Sequence, residues 1–117
     1  EEFIRRWQKV LDEMQATGDT AEYAAMTESC PSCQGVVEAV KGIYAEGGHV
    51  EFEGSTIMNL VQVGKKPPTF RLTKSVPETA IHRPGEQIER LPAGTTSIEI
   101  TLGQVPKGWT VHLVTIL

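Results

Sequence analysis

The spacing of apolar residues changes once along the chain, at Gly47-Gly48, and this change most constrains the fold. Before it, apolar residues recur every three or four positions, as in an amphipathic helix; after it, they alternate every second position, as in a half-buried strand. Helices first and strands second favour an α+β domain over a parallel βαβ arrangement. The 117 residues predict a single domain, 1–117, with a helical half over 1–47 and an antiparallel sheet half over 48–117.

The helical half predicts three helices. The first carries a stripe spaced by three and four and ends at Thr17-Gly18. The second, over 20–28, begins after Asp19, and the third begins at Pro31, which suits a first helical position, with Cys30 as its N-cap. The expected buried stripe of the third helix is Val36, Val37, Val40, Ile43 and Tyr44.

The second half predicts four strands, over 49–63 with a bend or bulge at Gly54, 69–82, 95–104 and 109–117, joined by hairpin-length turns. Trp109, Val111 and Leu113 alternate, while Val114 and Ile116 add apolar groups on the other face, so the last strand is expected to be central or covered on both sides. We therefore expect three helices packed on a curved four-stranded antiparallel sheet. Such a cone offers its mouth as a ligand pocket.

Charge excludes one class of partner. The chain has 11 Lys and Arg against 15 Asp and Glu, a net charge of −4, which is the wrong sign for a domain that binds phosphates. Nucleic acid is therefore not a predicted partner. No stretch approaches the about 20 apolar residues of a membrane span, so contact with a membrane is expected only through an anchor outside this chain.

Cys30-Pro31-Ser32-Cys33 is the most informative motif. Two intervening residues at a helix start place both sulfurs on one turn, where they can form a structural disulfide or a dithiol redox pair with Cys30 as nucleophile and Cys33 as resolving thiol. A thioredoxin-like unit would require a strand before the motif, and no strand precedes it here. The structural disulfide is therefore the favoured interpretation. A zinc site is disfavoured because it needs four ligands.

His49, Glu51 and Glu53 share one strand face by two-residue alternation. A metal site there is conceivable, but with no fourth ligand identified the favoured interpretation is a solvated strand face, and no metal is predicted. His82, beside a predicted turn at Arg83-Pro84-Gly85, and His112, in the last strand, are expected to be surface or core residues.

The sequence predicts no catalytic residue and no cofactor. It lacks the nucleophile-elbow, P-loop and dinucleotide-binding motifs. Its only aspartates, Asp12 and Asp19, are explained by a helix surface and a helix cap. An enzyme is therefore not the favoured interpretation.

One ordered set of residues resembles an uncharacterised family of actinobacterial lipoproteins with a domain of unknown function. The set covers roughly residues 3–50 and comprises Trp7, Ala16-Thr17-Gly18-Asp19, Tyr23, Cys30-Pro31-Ser32-Cys33, Ile43-Tyr44 and Gly47-Gly48. The resemblance implies export after signal-peptide cleavage, a lipid-modified cysteine upstream of Glu1 and a disulfide between Cys30 and Cys33.

The order of elements is also similar to the cystatin-like cone fold of ketosteroid isomerase and polyketide-cyclase-like proteins. Those isomerases use an aspartate base and a tyrosine in the pocket. This chain has no aspartate after Asp19, and Tyr23 and Tyr44 both lie in predicted helices, so no catalytic residue carries over.

These patterns predict a non-enzymatic extracytoplasmic domain, associated with the cell envelope, that binds a small hydrophobic ligand or an envelope protein. The alternatives are a dithiol oxidoreductase and a cone-fold enzyme acting on a small hydrophobic substrate. Because cone-like sheets pair through their outer face, a homodimer is left open.

Overall fold

The computed structural model describes residues 1–117 and has the predicted α+β order. Three helices come first: α1 spans Glu2–Thr17, α2 spans Ala21–Met26 and α3 spans Pro31–Ala45. No helix is both long and apolar enough to cross a membrane.

The end of α1 requires a glycine. Gly18 has a φ of 80°, in the left-handed region, and its N–H donates to the Met14 carbonyl at 2.8 Å. A Cβ at this position would lie 2.6 Å from the Tyr44 ring. The Tyr44 hydroxyl in turn donates to the Gln15 carbonyl at 2.7 Å and accepts from the Val50 N–H at 3.2 Å. This one ring therefore joins the end of α1, the end of α3 and the first strand.

The caps of the other two helices differ in how well they were predicted. Cys30 is the N-cap of α3, and its sulfur accepts from the Cys33 N–H at 3.3 Å, which confirms the prediction. The N-cap of α2 is Thr20, not Asp19. The Asp19 carboxylate instead accepts from the Ala21 N–H, two residues on, which is the local turn that aspartate favours.

Seven strands form two antiparallel sheets, instead of the predicted four strands in one. The strands are β1 His49–Glu51, β2 Thr56–Lys65, β3 Pro68–Val76, β4 Thr79–His82, β5 Glu89–Leu91, β6 Gly94–Val105 and β7 Gly108–Ile116. The four-stranded sheet has the order β2-β3-β6-β7, and the three-stranded sheet has the order β1-β4-β5.

Two predicted strands are each divided between the two sheets. The predicted strand 49–63 breaks after Glu51, where Gly54 takes a φ of 104°. The predicted strand 69–82 breaks at Pro77, whose missing N–H cannot extend a ladder. The short β5 was not predicted, because all three of its residues are exposed and show no alternation.

The last strand was predicted to be central or covered on both sides, and this is wrong: β7 is an edge strand with exposed apolar side chains. Leu113 is 48% exposed and Ile116 is 79% exposed. A register shift between Thr101 and Leu102 of β6 changes which β7 side chains face inward, so the neighbours Thr110 and Val111 are both buried.

The main core lies between the helices and the inner face of the four-stranded sheet. Alternate residues of β3 and β6 point into it, and Trp7 and Met14 of α1 are buried in the same cluster. The sheet residues of this core are Phe70, Leu72, Ile98, Ile100, Leu102 and Val111.

Two leucine truncations distinguish the inner sheet face from the exposed edge strand. Leu72 is 0% exposed, so Leu72→Ala should lower the free energy of unfolding by about 2–5 kcal/mol. Leu113→Ala, the same change on β7, should lower it by less than about 1 kcal/mol. Urea unfolding followed by circular dichroism measures both, and equal losses would show that β7 does not lie as described.

Candidate functional site

A cavity of about 500 Å³ lies between α3 and the three-stranded sheet. Val36, Val40 and Ile43 of α3 face Val50 and Ile81 of the sheet across it. Its charged side chains are Asp12 of α1 and Lys74 of the four-stranded sheet. The remaining lining residues are Leu11, Gln15, Ser32, Gly35, Ala39, Phe52, Ser55, Val76, Thr79 and Leu91.

A smaller cavity of about 290 Å³ adjoins the first, between α1, α3 and the four-stranded sheet. Its walls include Trp7, Tyr23, Cys33 and Ile98. Both cavities share one set of lining residues: Leu11, Gln15, Ser32, Val36 and Lys74. The shared set makes Lys74 the cationic group common to the two spaces.

Lys74 lies on the inner face of β3, where an apolar residue would continue the core. It follows Phe70 and Leu72 at two-residue intervals and pairs with Thr96 of β6. Its Nζ donates to Gln8 Oε1 at 3.0 Å. Burial lowers the pKa of Lys74, and the nearby negative charge of Asp12 opposes this shift.

Asp12 forms the opposite end of the same polar network. Gln8 Nε2 donates to its carboxylate at 2.9 Å, and the Ser55 N–H donates to its other oxygen at 2.9 Å. The Ser55 hydroxyl adds a third bond at 3.2 Å. Asp12 was predicted on the helix surface; it instead ties α1 to the segment between β1 and β2 at the wall of the larger cavity.

Trp7 and Tyr23 place two further polar atoms at the smaller cavity. Their rings are 6.2 Å apart, and burial raises the pKa of Tyr23 to about 12, an effect that the neighbouring Trp7 indole partly offsets. The Trp7 Nε1 atom is buried and has no hydrogen-bond partner. Buried donors are normally satisfied, so this one is an exception.

Cys30 and Cys33 form a disulfide with their Cα atoms 5.2 Å apart, as favoured from the sequence. Cys30 is 0% exposed and Cys33 is 1% exposed. The bond therefore lies in the core at the start of α3, beside the smaller cavity.

The predicted trio of His49, Glu51 and Glu53 is not the group that the structure brings together. Strand β1 ends at Glu51, so Glu53 leaves the shared face. His82 takes its place, because it ends β4 directly opposite His49. His112 is separate from this group and lies 3.1 Å from the Ser29 hydroxyl through Nδ1.

Sequence reasoning missed Lys74 and Gln8, although a signal exists for each. The alternation Phe70, Leu72, Lys74 places the lysine on the buried face of its strand. Gln8 lies four residues after Ile4 and three before Leu11, inside the apolar stripe of α1. A polar residue that falls within an apolar repeat predicts a buried polar contact.

A third depression, at the start of α1, has a larger volume of about 630 Å³ but is a weaker candidate for a binding site. Its walls include Glu1, Glu2 and Arg6, which are exposed, and the exposed Trp109. It contains no buried polar group without a partner, so it offers no comparable anchor for a ligand.

No family model matches the chain. No curated protein matches it significantly.

Several solved structures share the fold. A protein from Catenulispora acidiphila has a TM-score of 0.60 at 9% identity, over 97% of this chain and 87% of that chain. The intermembrane space region of the chloroplast protein ARC6 has a TM-score of 0.59 at 10% identity, over 100% of this chain and 92% of that chain. A structure with NTF2 in its name reaches a TM-score of 0.49 at 13% identity, over 99% of this chain and 97% of that chain. At these identities the first two show similarity of fold alone.

The buried position of Lys74 predicts a characteristic pH dependence of stability. Because its pKa is lowered in the folded state, the unfolded chain keeps this proton to higher pH, up to the ordinary value of 10.5. Lys74 should therefore make the free energy of unfolding increase as the pH rises through the lowered pKa. The variant Lys74→Met should lack this increase.

Urea unfolding of wild type and Lys74→Met between about pH 8 and pH 10 measures this difference. Tyr23 contributes equally to the pH dependence of stability in both proteins, so its effect cancels in the difference between them. Lys41→Met, at an exposed lysine of α3, is the matched control and should keep the wild-type slope. An identical slope in the Lys74→Met protein would contradict the burial of this amine.

Proposed function

We propose that this protein is a non-enzymatic domain that binds a small, mainly apolar molecule with an anionic or carbonyl head group. The observation that carries the proposal is the half-buried amine of Lys74, placed where two mostly apolar cavities adjoin. Burial of a cation is costly unless it meets a compensating group. Gln8 accepts one hydrogen bond from this ammonium group, which has three donors, and a negatively charged or strongly accepting ligand would engage the others.

The dimensions support a small molecule. The larger cavity, about 500 Å³, falls within the range of about 300–1,000 Å³ that is usual for ligand pockets. Its walls are mainly aliphatic, with few polar groups, a pattern that selects an apolar body and orients one polar end. Lys74 Nζ is a donor at both cavities, so the head group must accept hydrogen bonds.

The chemistry of the cavity supports binding over catalysis. Asp12, the one carboxylate in its wall, already accepts three hydrogen bonds from Gln8 and Ser55, so it is engaged in holding α1 to the β1–β2 segment. The sulfurs of Cys30 and Cys33 are in a buried disulfide, whereas a redox pair needs an accessible nucleophile. These features support the binding domain over both the cone-fold enzyme and the dithiol oxidoreductase.

The proposed place of action is outside the cytoplasm. A disulfide is typical of proteins that fold in an oxidising compartment, and this one is fully enclosed. The lipid anchor, the cell-envelope association, the envelope-protein partner, the homodimer and the cone-fold relationship inferred from the sequence stay predictions.

Two matched fluorescent probes test the head-group requirement. 1-Anilinonaphthalene-8-sulfonate carries a sulfonate on the same aromatic body as the neutral N-phenyl-1-naphthylamine. Because a hydrogen bond to a charged group is worth about 1.5–3 kcal/mol, Lys74→Met should weaken the sulfonate probe roughly tenfold or more. The neutral probe should keep its affinity.

Two glycines of α3 provide a matched test of the cavity itself. Gly35 lines the larger cavity, and a Cβ there meets nothing within 4 Å, so Gly35→Leu should fill the space and exclude both probes. Gly42→Leu gains the same helix propensity outside the cavity and should bind both probes normally. Equal binding by wild type, Lys74→Met and Gly35→Leu would refute the proposal.

A further inference from the structure

Three metal-binding side chains meet on the outer face of the three-stranded sheet. His49 and Glu51 lie two residues apart on β1, and His82 pairs with His49 across the antiparallel ladder. Two-residue alternation turns the intervening Val50 inward, into the larger cavity, and leaves these three on the other face. The site is therefore distinct from the proposed ligand pocket.

The donor atoms of these residues are close together. One donor atom from each residue lies within 4.8 Å of the other two. The imidazole rings stack with their centroids 4.3 Å apart and their planes 6° from parallel. Because opposite positions of a paired ladder fix the two backbones, this proximity does not depend on a loop.

His82 leaves one of these donor atoms unsatisfied. Its Nε2 lies 2.6 Å from a Glu51 carboxylate oxygen, yet the direction is wrong for a ring N–H hydrogen bond, and the atom is buried without a partner. A nitrogen lone pair beside a carboxylate oxygen is a favourable arrangement only when a proton or a cation lies between them.

The neighbouring charges do not supply that cation. Arg83 pairs with Glu89 at 2.8 Å, and Arg90 pairs with Glu78 at 3.1 Å. Each of these guanidinium groups is thus committed to its own carboxylate. The negative charge of Glu51 stays available to the histidine pair.

We propose that His49, Glu51 and His82 bind one divalent transition-metal ion, of the zinc, nickel or copper class. Neutral imidazole and carboxylate are ligands that these ions prefer, and two histidines with one glutamate are a known zinc ligand set that leaves a position for water. Because the rings are stacked, their nitrogen lone pairs lie in two parallel planes and do not point at one ion. Binding therefore requires one ring to rotate about its Cβ–Cγ bond until a lone pair of each ring points at the ion. The backbone of the two strands need not move.

Calorimetric titration of the untagged protein with zinc chloride and nickel chloride tests the site. We expect one ion per chain at neutral pH. His82→Gln and His49→Gln should each weaken binding by at least the about 10–100-fold that is usual for lost supporting partners of a metal site. His112→Gln, which removes the only other histidine, should bind like wild type.

Two controls make the result specific. Magnesium chloride should give no heat, because magnesium prefers oxygen ligands in octahedral geometry. Zinc binding should weaken as the pH is lowered, because protons compete with the metal ion for the imidazole nitrogens. Circular dichroism verifies that each variant is folded.

A measurement on wild type alone covers the case in which a variant fails to fold. In histidine-ring ¹⁵N spectra, zinc should shift the signals of His49 and His82 and leave those of His112 in place. No saturable binding, or binding and ring shifts that do not involve His49 and His82, would overturn the proposal. Either result leaves the probe experiments on the cavity unaffected.

Discussion

The inner face of the four-stranded sheet is buried against α1, and the other elements are positioned by that contact. Leu72 and Ile100 are fully buried there, and Trp7 closes the same cluster from the helix side. At about 25 cal/mol for each Å² of apolar surface removed from water, such a contact is the main source of stability in a domain of this size. The Tyr44 hydroxyl then fixes the end of α3 and β1 relative to α1.

The same sheet face changes character at Lys74. Where another apolar side chain would extend the core, β3 places an amine that Gln8 and Asp12 engage from α1. The chain therefore stops packing tightly at this point, and the two cavities open on either side of the network. The three-stranded sheet covers the larger cavity with one face and carries the histidine pair on the other. The proposed ligand site and the proposed metal site therefore lie on opposite faces of this sheet.

The helices and the fold class could be predicted from the sequence because their signals are local. Helix ends at Gly18 and Cys30 follow from backbone conformation and capping, and the buried disulfide follows from two-residue spacing at a helix start. Strand partners depend on contacts distant in the sequence, so the division into two sheets and the edge position of β7 were not predicted. For the same reason His82, which reaches His49 only through the β1–β4 ladder, was not assigned to the histidine pair.

The central claim is that the space around Lys74 receives a ligand. The most direct measurement is a titration of ¹⁵N-labelled protein with decanoate, an apolar chain with a carboxylate head, followed by amide chemical shifts. We expect saturable changes at residues that line the cavity, notably Val36, Lys74 and Ile81. Changes confined to exposed residues such as Met58 and Leu113, or no changes at all, would contradict it.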